Sequence, residues 1–369
     1  MSPILFTPLK LGELELPNRI VISPMGQYSA VNGSATEWHT MHLGHLAISG
    51  AGLLIIEATA VQPHGRTSPF DLGLWCDDNA RALEPALAFC RKHGGAHIGI
   101  QLQHTGRKGS VAAAWDKQRS LSLAEGGWPL SAPSAVQYPG RAMPVALTRE
   151  GLAQLLSDYA AAARRADRLG IDLVEIHGAH GYLLHSFLSP ISNRREDEYG
   201  GSLQNRMRFP LEVFKAVRAA LPAGKPVGFR ISATDWIEGG WDVADSVVMA
   251  KALRELGCDY VTASSGGVAP EQKLKVHPGY QVPFAERIRK ESGICTMAIG
   301  LITEPKQAEQ ILASGQADLV ALARGMLYNP RWPWHAAVEL GAEFFYPRQY
   351  ERSHPSMRSG DFLTPARNM

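Results

Sequence analysis

The chain has 369 residues, with 37 Lys+Arg against 35 Asp+Glu and a formal net charge of +2; hydrophobic residues make up 45% and charged residues 20%. That balance belongs to a folded protein with a core large enough to need no disulfide staples, and it lacks the basic excess that nucleic acid demands. No long apolar run or signal-peptide layout appears, and Cys76, Cys90, Cys258 and Cys295 form no CxxC pair, so we expect a cytoplasmic protein with free thiols, no membrane partner and no iron–sulfur cluster.

Residues 9–16 (LKLGELEL) alternate around Gly12 and predict a small hairpin plugging a barrel floor. Continuous apolar runs then recur at 19–23, 53–57, 97–102, 173–177, 227–232, 260–264, 296–300 and 319–323. Continuity rather than alternation marks strands covered on both faces, as in a parallel sheet. Helical patterns occupy 152–169, 206–221, 243–256, 283–291 and 305–314, with Thr148 and Thr303 as candidate caps and Gly170, Gly257 and Gly315 as stops. Eight strand-then-helix units predict an α/β fold, a (β/α)8 TIM barrel. An open dinucleotide-binding sheet is disfavoured because no GxGxxG follows a strand. Residues 108–147, after the third strand, are too many for a simple loop and are expected to cross the active-site face. The whole chain, 1–369, reads as one domain, with 353–369 a mobile Ser/Pro/Arg-rich tail.

In such a barrel the chemistry belongs at the carboxyl ends of the strands. Those ends carry Pro24-Met25-Gly26-Gln27-Tyr28, Glu57-Ala58, Gln101 with Lys108, His177 with His180 and Tyr182, Arg230, Gly300 and Ala323-Arg324. Gly300 and Arg324, after the seventh and eighth strands, suit a phosphate. Two imidazoles and a phenol can polarise a carbonyl and deliver a proton. The same histidines, joined by His185, could instead hold zinc in a barrel hydrolase.

These residues also form ordered motifs: Asn18-Arg19-Ile20-Val21 with Ser23-Pro24-Met25, Glu57-Ala58-Thr59, Ile100-Gln101-Leu102, Gly106-Arg107-Lys108, Ala132-Pro133-Ser134, Glu175-Ile176-His177 and Asp197-Glu198-Tyr199-Gly200-Gly201-Ser202. Along nearly its whole length the chain resembles the Old Yellow Enzyme family of FMN-dependent ene-reductases, in its bacterial thermophilic-like branch. The resemblance implies FMN, bound without a covalent link, NADPH as reductant and no metal. Pro24, Met25, Gly26, Ala58 and Gln101 would hold the flavin ring, Arg230 would face its N1/O2 edge, and Gly300, Ala323 and Arg324 would hold its phosphate. His177 and His180 would bind the oxygen of an enone, maleimide, quinone or nitro compound, with Tyr182 as proton donor. Tyr28, Lys108 and Trp236 would line the substrate mouth. The resemblance further implies a homodimer or a dimer of dimers in which Arg352, in the context Tyr350-Glu351-Arg352, reaches the neighbouring site. One departure stands out: the branch commonly reads Pro-Met-Cys where this chain has Gly26.

Overall fold

The structure is a computed structural model that describes residues 2–343 and 345–353. At the amino end β1 (Leu9–Leu11) pairs antiparallel with β2 (Leu14–Leu16). Gly12 turns between them at φ +53°, and a Cβ there would stand 2.7 Å from the Gly224 carbonyl oxygen, so only glycine fits. Leu11 and Leu16 pack on Leu53, Leu173, Tyr260 and Leu319. Each of these four opens a barrel strand, so the hairpin seals the floor.

The barrel strands are β3 (Ile20–Ile22), β4 (Leu53–Ala60), β5 (His97–Gln103), β8 (Leu173–Gly178), β9 (Val227–Ser232), β10 (Tyr260–Ser264), β11 (Cys295–Ala298) and β12 (Leu319–Leu322). The remaining two strands, β6 (Ser131–Ala132) and β7 (Val145–Ala146), form a separate ribbon. All eight barrel strands run parallel, each beside the next in sequence order, with β12 closing onto β3. They match the eight predicted runs, because strands sheathed by helices outside and side chains inside need apolar residues at nearly every position. The pairing sets Gln101 beside Glu175, His177 beside Arg230 and Ser232 beside Ser264, so the polar residues gather at one level near the mouth. Between β4 and β5 the register shifts across Ile56 and Ala58. Glu57 at that shift accepts from Gln27 N at 2.8 Å and lies 3.3 Å from His39 Nε2, fastening the loop that follows β3.

The predicted helices form within three residues of their expected bounds, including Arg149–Arg168, Leu203–Ala219 and Val243–Glu255. Thr148 caps the first, its hydroxyl accepting from Gly151 N. Thr303 does not cap Pro305–Ala313: Glu304 holds that position without a side-chain bond, since proline at the first helical position presents no N–H to satisfy. Gly170, Gly257 and Gly315 follow their helices at φ +68°, +84° and +72°. The stretch 108–147 winds through short 3-10 turns and the β6–β7 ribbon, with Trp128 buried. It returns to the mouth through Trp115, edge-on to Tyr28 at 5.6 Å, and Gln118, whose amide donates to the Tyr28 hydroxyl at 3.3 Å. Of the expected tail only Ser353 is described, in the turn Arg348–Ser353; 354–369 lie outside the described residues.

Candidate active site

Two adjoining cavities open at the mouth and share His180 and Arg230 as wall residues. The smaller, about 150 Å³, is walled by Pro24, Gly26, Ala58 and Gln101 on one side and by Tyr28, His177 and Tyr182 on another. The larger, about 520 Å³, runs past Ser264 and Gln281 to Gly300, Ala323 and Arg324.

At the base of the smaller cavity a carboxylate sets an amide. Glu175, fully buried, accepts from Gln101 Nε2 at 2.7 Å and from the Thr262 hydroxyl at 2.6 Å. That contact fixes which end of the Gln101 amide is nitrogen, and leaves its carbonyl and second N–H for an imide edge that needs one donor and one acceptor. Arg230, only 9% exposed, has no hydrogen-bond partner for its Nε among the described residues. Burial lowers its pKa, with the Glu175 charge opposing. A buried cation with an unmet donor is costly until an anionic or electron-rich group covers it. This orphaned donor beside a fixed amide fits the pyrimidine edge of a flavin.

His177 and His180 stand at the end of β8 and in the turn beyond it. Ala179 N donates to His177 Nδ1 at 3.1 Å, which places the His177 proton on Nε2. That proton faces His180 Nδ1 at 3.2 Å, so His180 carries its own on Nε2 toward the Ser264 hydroxyl at 2.7 Å. Burial, then the Arg230 charge, hold both imidazoles well below their ordinary range. Both are therefore neutral at pH 7, each with one N–H to offer. His180 adopts φ +61° and Gly181 φ +72°; a Cβ on Gly181 would meet Gly267 O at 2.1 Å, so the turn is pressed against the Gly266-Gly267 loop. The Tyr182 ring stands 5.1 Å from that of His177, and burial pushes its phenol up to about 12. His185 is turned away, its Nε2 3.0 Å from Asp235 Oδ1 in the core. Among the described residues no group of three or more His, Cys, Asp and Glu could hold a metal.

At the far end Gly300 takes φ +110° against Gln281, and Arg324 is exposed with no hydrogen bond or ion pair recorded among the described residues. A free guanidinium beside a glycine turn suits a phosphate. Met25 packs against the core rather than lining either cavity. Lys108 is withdrawn from both: its ammonium donates to His180 O at 2.8 Å and Gly267 O at 2.7 Å, bracing the histidine turn. Trp236 likewise lines neither cavity and packs edge-on to Phe284 at 5.5 Å. Arg352 is exposed and lines neither of these cavities, while Tyr350 packs on Trp334 at 5.9 Å. Sequence reading left out Thr67, Asp71 and Gln103 in the smaller cavity and Gln281 in the larger. Gln103 ends β5 and was legible as a strand end; Thr67 and Asp71 lie on a loop without periodicity.

Residues 4–343 match the sequence profile described as the NADH:flavin oxidoreductase / NADH oxidase family. An NADPH dehydrogenase of Geobacillus sp. (strain WCH70) is 45% identical over 355 residues, covering 95% of this chain and 99% of that protein. Among solved structures, morphinone reductase superposes with a TM-score of 0.78 at 30% identity, covering 97% of this chain and 93% of that one. The Old Yellow Enzyme homologue from Zymomonas mobilis gives 0.75 at 28% identity, covering 93% and 94%. With its barrel and its match over nearly the full length, the chain belongs to the NADH:flavin oxidoreductase / NADH oxidase family.

Proposed function

We propose that the protein is an FMN-dependent NADPH dehydrogenase that reduces the activated C=C bond of α,β-unsaturated carbonyl compounds in two alternating half-reactions. Bound FMN would supply the hydride chemistry that links NADPH to the substrate. Gln101 and Arg230 hold its ring edge, the backbone of Pro24, Gly26 and Ala58 supports the ring, and Gly300, Ala323 and Arg324 bind its phosphate. The observation that carries the reading is the pair of neutral imidazoles beside a phenol in the cavity that Gln101 and Arg230 also wall.

Turning the His180 ring away from Ser264 frees the His180 Nε2–H and, by withdrawing Nδ1, also the His177 Nε2–H that it accepts, so that both N–H groups can reach one oxygen. Two neutral donors draw density from a conjugated carbonyl and make its β-carbon electrophilic. Tyr182 then gives its proton to the α-carbon; its high proton affinity favours recovery of the phenol. Tyr28 closes the substrate side. In a homodimer, Arg352 reaches into the partner's cavity, and truncation after Glu351 should then raise KM for the enone.

The test is the visible spectrum of the anaerobic holoprotein through one addition of NADPH and one of cyclohexenone. Flavin bands that bleach and then return support the reading. Bleaching without return moves the oxidant to quinones or nitro compounds, and a protein that stays colourless when FMN is supplied overturns it.

A further inference from the structure

One buried histidine behind the mouth takes no part in the reaction above. His185 is the third residue of the helix Leu183–Leu188 and is fully buried. Its Nδ1 accepts from Gly181 N at 2.8 Å. A ring nitrogen that accepts holds no proton, so the His185 proton sits on Nε2. There it faces Asp235 Oδ1 at 3.0 Å, and neither atom has another partner among the described residues. The second Asp235 oxygen accepts from the Ser189 hydroxyl at 2.6 Å and from Trp241 N at 2.7 Å, which fixes the carboxylate. A buried carboxylate thus sets an imidazole, and the imidazole is spent on one backbone N–H.

That N–H is one end of the peptide group joining His180 to Gly181. The other end, His180 O, accepts from the Lys108 ammonium at 2.8 Å. Side chains therefore hold both ends of this peptide. The residues on either side of it have positive φ, +61° for His180 and +72° for Gly181. Glycine adopts that conformation freely, whereas for a histidine it is strained and persists only where neighbours enforce it. Released at either end, the peptide can rotate and His180 can leave its strained φ. Its ring then leaves the place where Nδ1 meets His177 Nε2 at 3.2 Å.

We propose that His185, set by Asp235, is a positioning residue for His180: by holding the Gly181 N–H it fixes the His180–Gly181 peptide, and with it the point from which His180 offers its own N–H to the substrate oxygen. This rests on His180 being one of the two donors to that oxygen.

The experiment titrates phenol into the oxidised holoenzyme, reading the charge-transfer band, and follows reoxidation by cyclohexenone in a stopped-flow instrument. In His185→Asn the amide oxygen falls where Nδ1 was and can still accept from Gly181 N, but nothing reaches Asp235. In His185→Gln the amide nitrogen falls where Nε2 was and can still donate to Asp235, but Gly181 N loses its acceptor. Both variants keep a polar side chain in the core. His185→Gln should weaken phenol binding and slow reoxidation roughly tenfold, and His185→Asn should stay within about threefold of wild type. In a His180→Ala background, His185→Gln should cost nothing further, since there is no ring left to place. A purely structural pair would give the reverse order, because His185→Asn is the variant that strands a buried carboxylate. Phenol binding no tighter in His185→Asn than in His185→Gln, wild-type binding in His185→Gln, or full additivity with His180→Ala overturns the positioning role alone. A His180→Ala enzyme that binds phenol as tightly as wild type overturns it together with His180 as a donor.

Discussion

The two ends of this barrel are built on opposite principles. At the floor, Leu11 and Leu16 close against Leu53, Leu173, Tyr260 and Leu319, all 2% exposed or less. At the mouth the interior is polar: Glu175, Gln101, His177, Arg230 and Ser264 are buried there, and Arg230 Nε and Gln103 Oε1 lack partners among the described residues. Backbone strain divides the same way. Tyr28, His180, Trp236 and Leu301 all carry positive φ on the mouth loops, where glycine would be the unstrained choice. At the floor the Tyr260 hydroxyl is likewise buried without a partner among the described residues, but the packing around it is apolar and contributes stability. The mouth breaks several local rules, as sites shaped to a ligand do.

The sharpest way to separate the ends is to damage each and watch the other. Replacing His177 and His180 together by Ala should slow enone reoxidation about a thousandfold and abolish charge-transfer binding of phenols, because both proposed donors to the substrate oxygen are gone. Phenol binding that survives the double replacement would sink the polarising role. Leu16→Ala should do the reverse. Removing a fully buried floor side chain is expected to cost about 2–5 kcal/mol in unfolding free energy, while phenol titration stays as in wild type. A kinetic defect in Leu16→Ala would mean that floor and mouth are mechanically coupled.

This division also explains what could be read from sequence. All eight strands and the floor hairpin were legible because their signals, apolar continuity and alternation about Gly12, are local. Gln101, His177, Arg230 and Arg324 were legible because a parallel barrel directs attention to strand ends. Thr67 and Asp71 were not, since a loop of the sequence GRTSPFDLG has no period, and the wall it faces across the cavity, His177 to Tyr182, is far along the chain. Lys108 sits where a strand-end reading puts it, yet its ammonium is spent on two carbonyls, a choice that only tertiary contacts decide.

Acid should distinguish the ends next. His104, just beyond β5 at the mouth, is held down to about 4 by burial, against 6.5 for a free imidazole. The unfolded chain therefore binds the extra proton first, and the stability that neutral His104 contributes is complete above pH 6.5 and lost as pH falls toward 4. His177 and His180 act in the same direction. His97 at the floor is opposite: its bond to Asp172 raises it, so its contribution is full at low pH and fades as pH rises through its folded value. The melting temperature should fall between about pH 7 and pH 5, and His104→Gln should flatten that slope. An unchanged slope would move the acid-sensitive group elsewhere. Arg324→Ala should have a smaller effect, weakening FMN retention by roughly ten- to thirtyfold through loss of one charge-assisted phosphate contact. A variant that keeps its flavin through dialysis would remove Arg324 from the phosphate site.

The smallest expected effect concerns Gly26. Most mouth residues of unusual conformation are held by their neighbours, but Gly26 is not a glycine by necessity. A Cβ there would meet only the Tyr28 ring, at 3.7 to 3.9 Å, which is ordinary contact. Its missing side chain is therefore open volume over the ring-binding wall, and a thiol could occupy that volume without strain. Gly26→Cys should stabilise the fold slightly, by about 0.5–1 kcal/mol, because the unfolded chain loses freedom and the folded one loses nothing. It should also shift the flavin midpoint potential and lower kcat/KM selectively for enones with bulky β-substituents, leaving cyclohexenone nearly unaffected. If bulky and small enones respond alike, and the potential does not move, the space beside Tyr28 is not where substrates are sorted. The strain at Tyr28 would then serve only to hold its own ring.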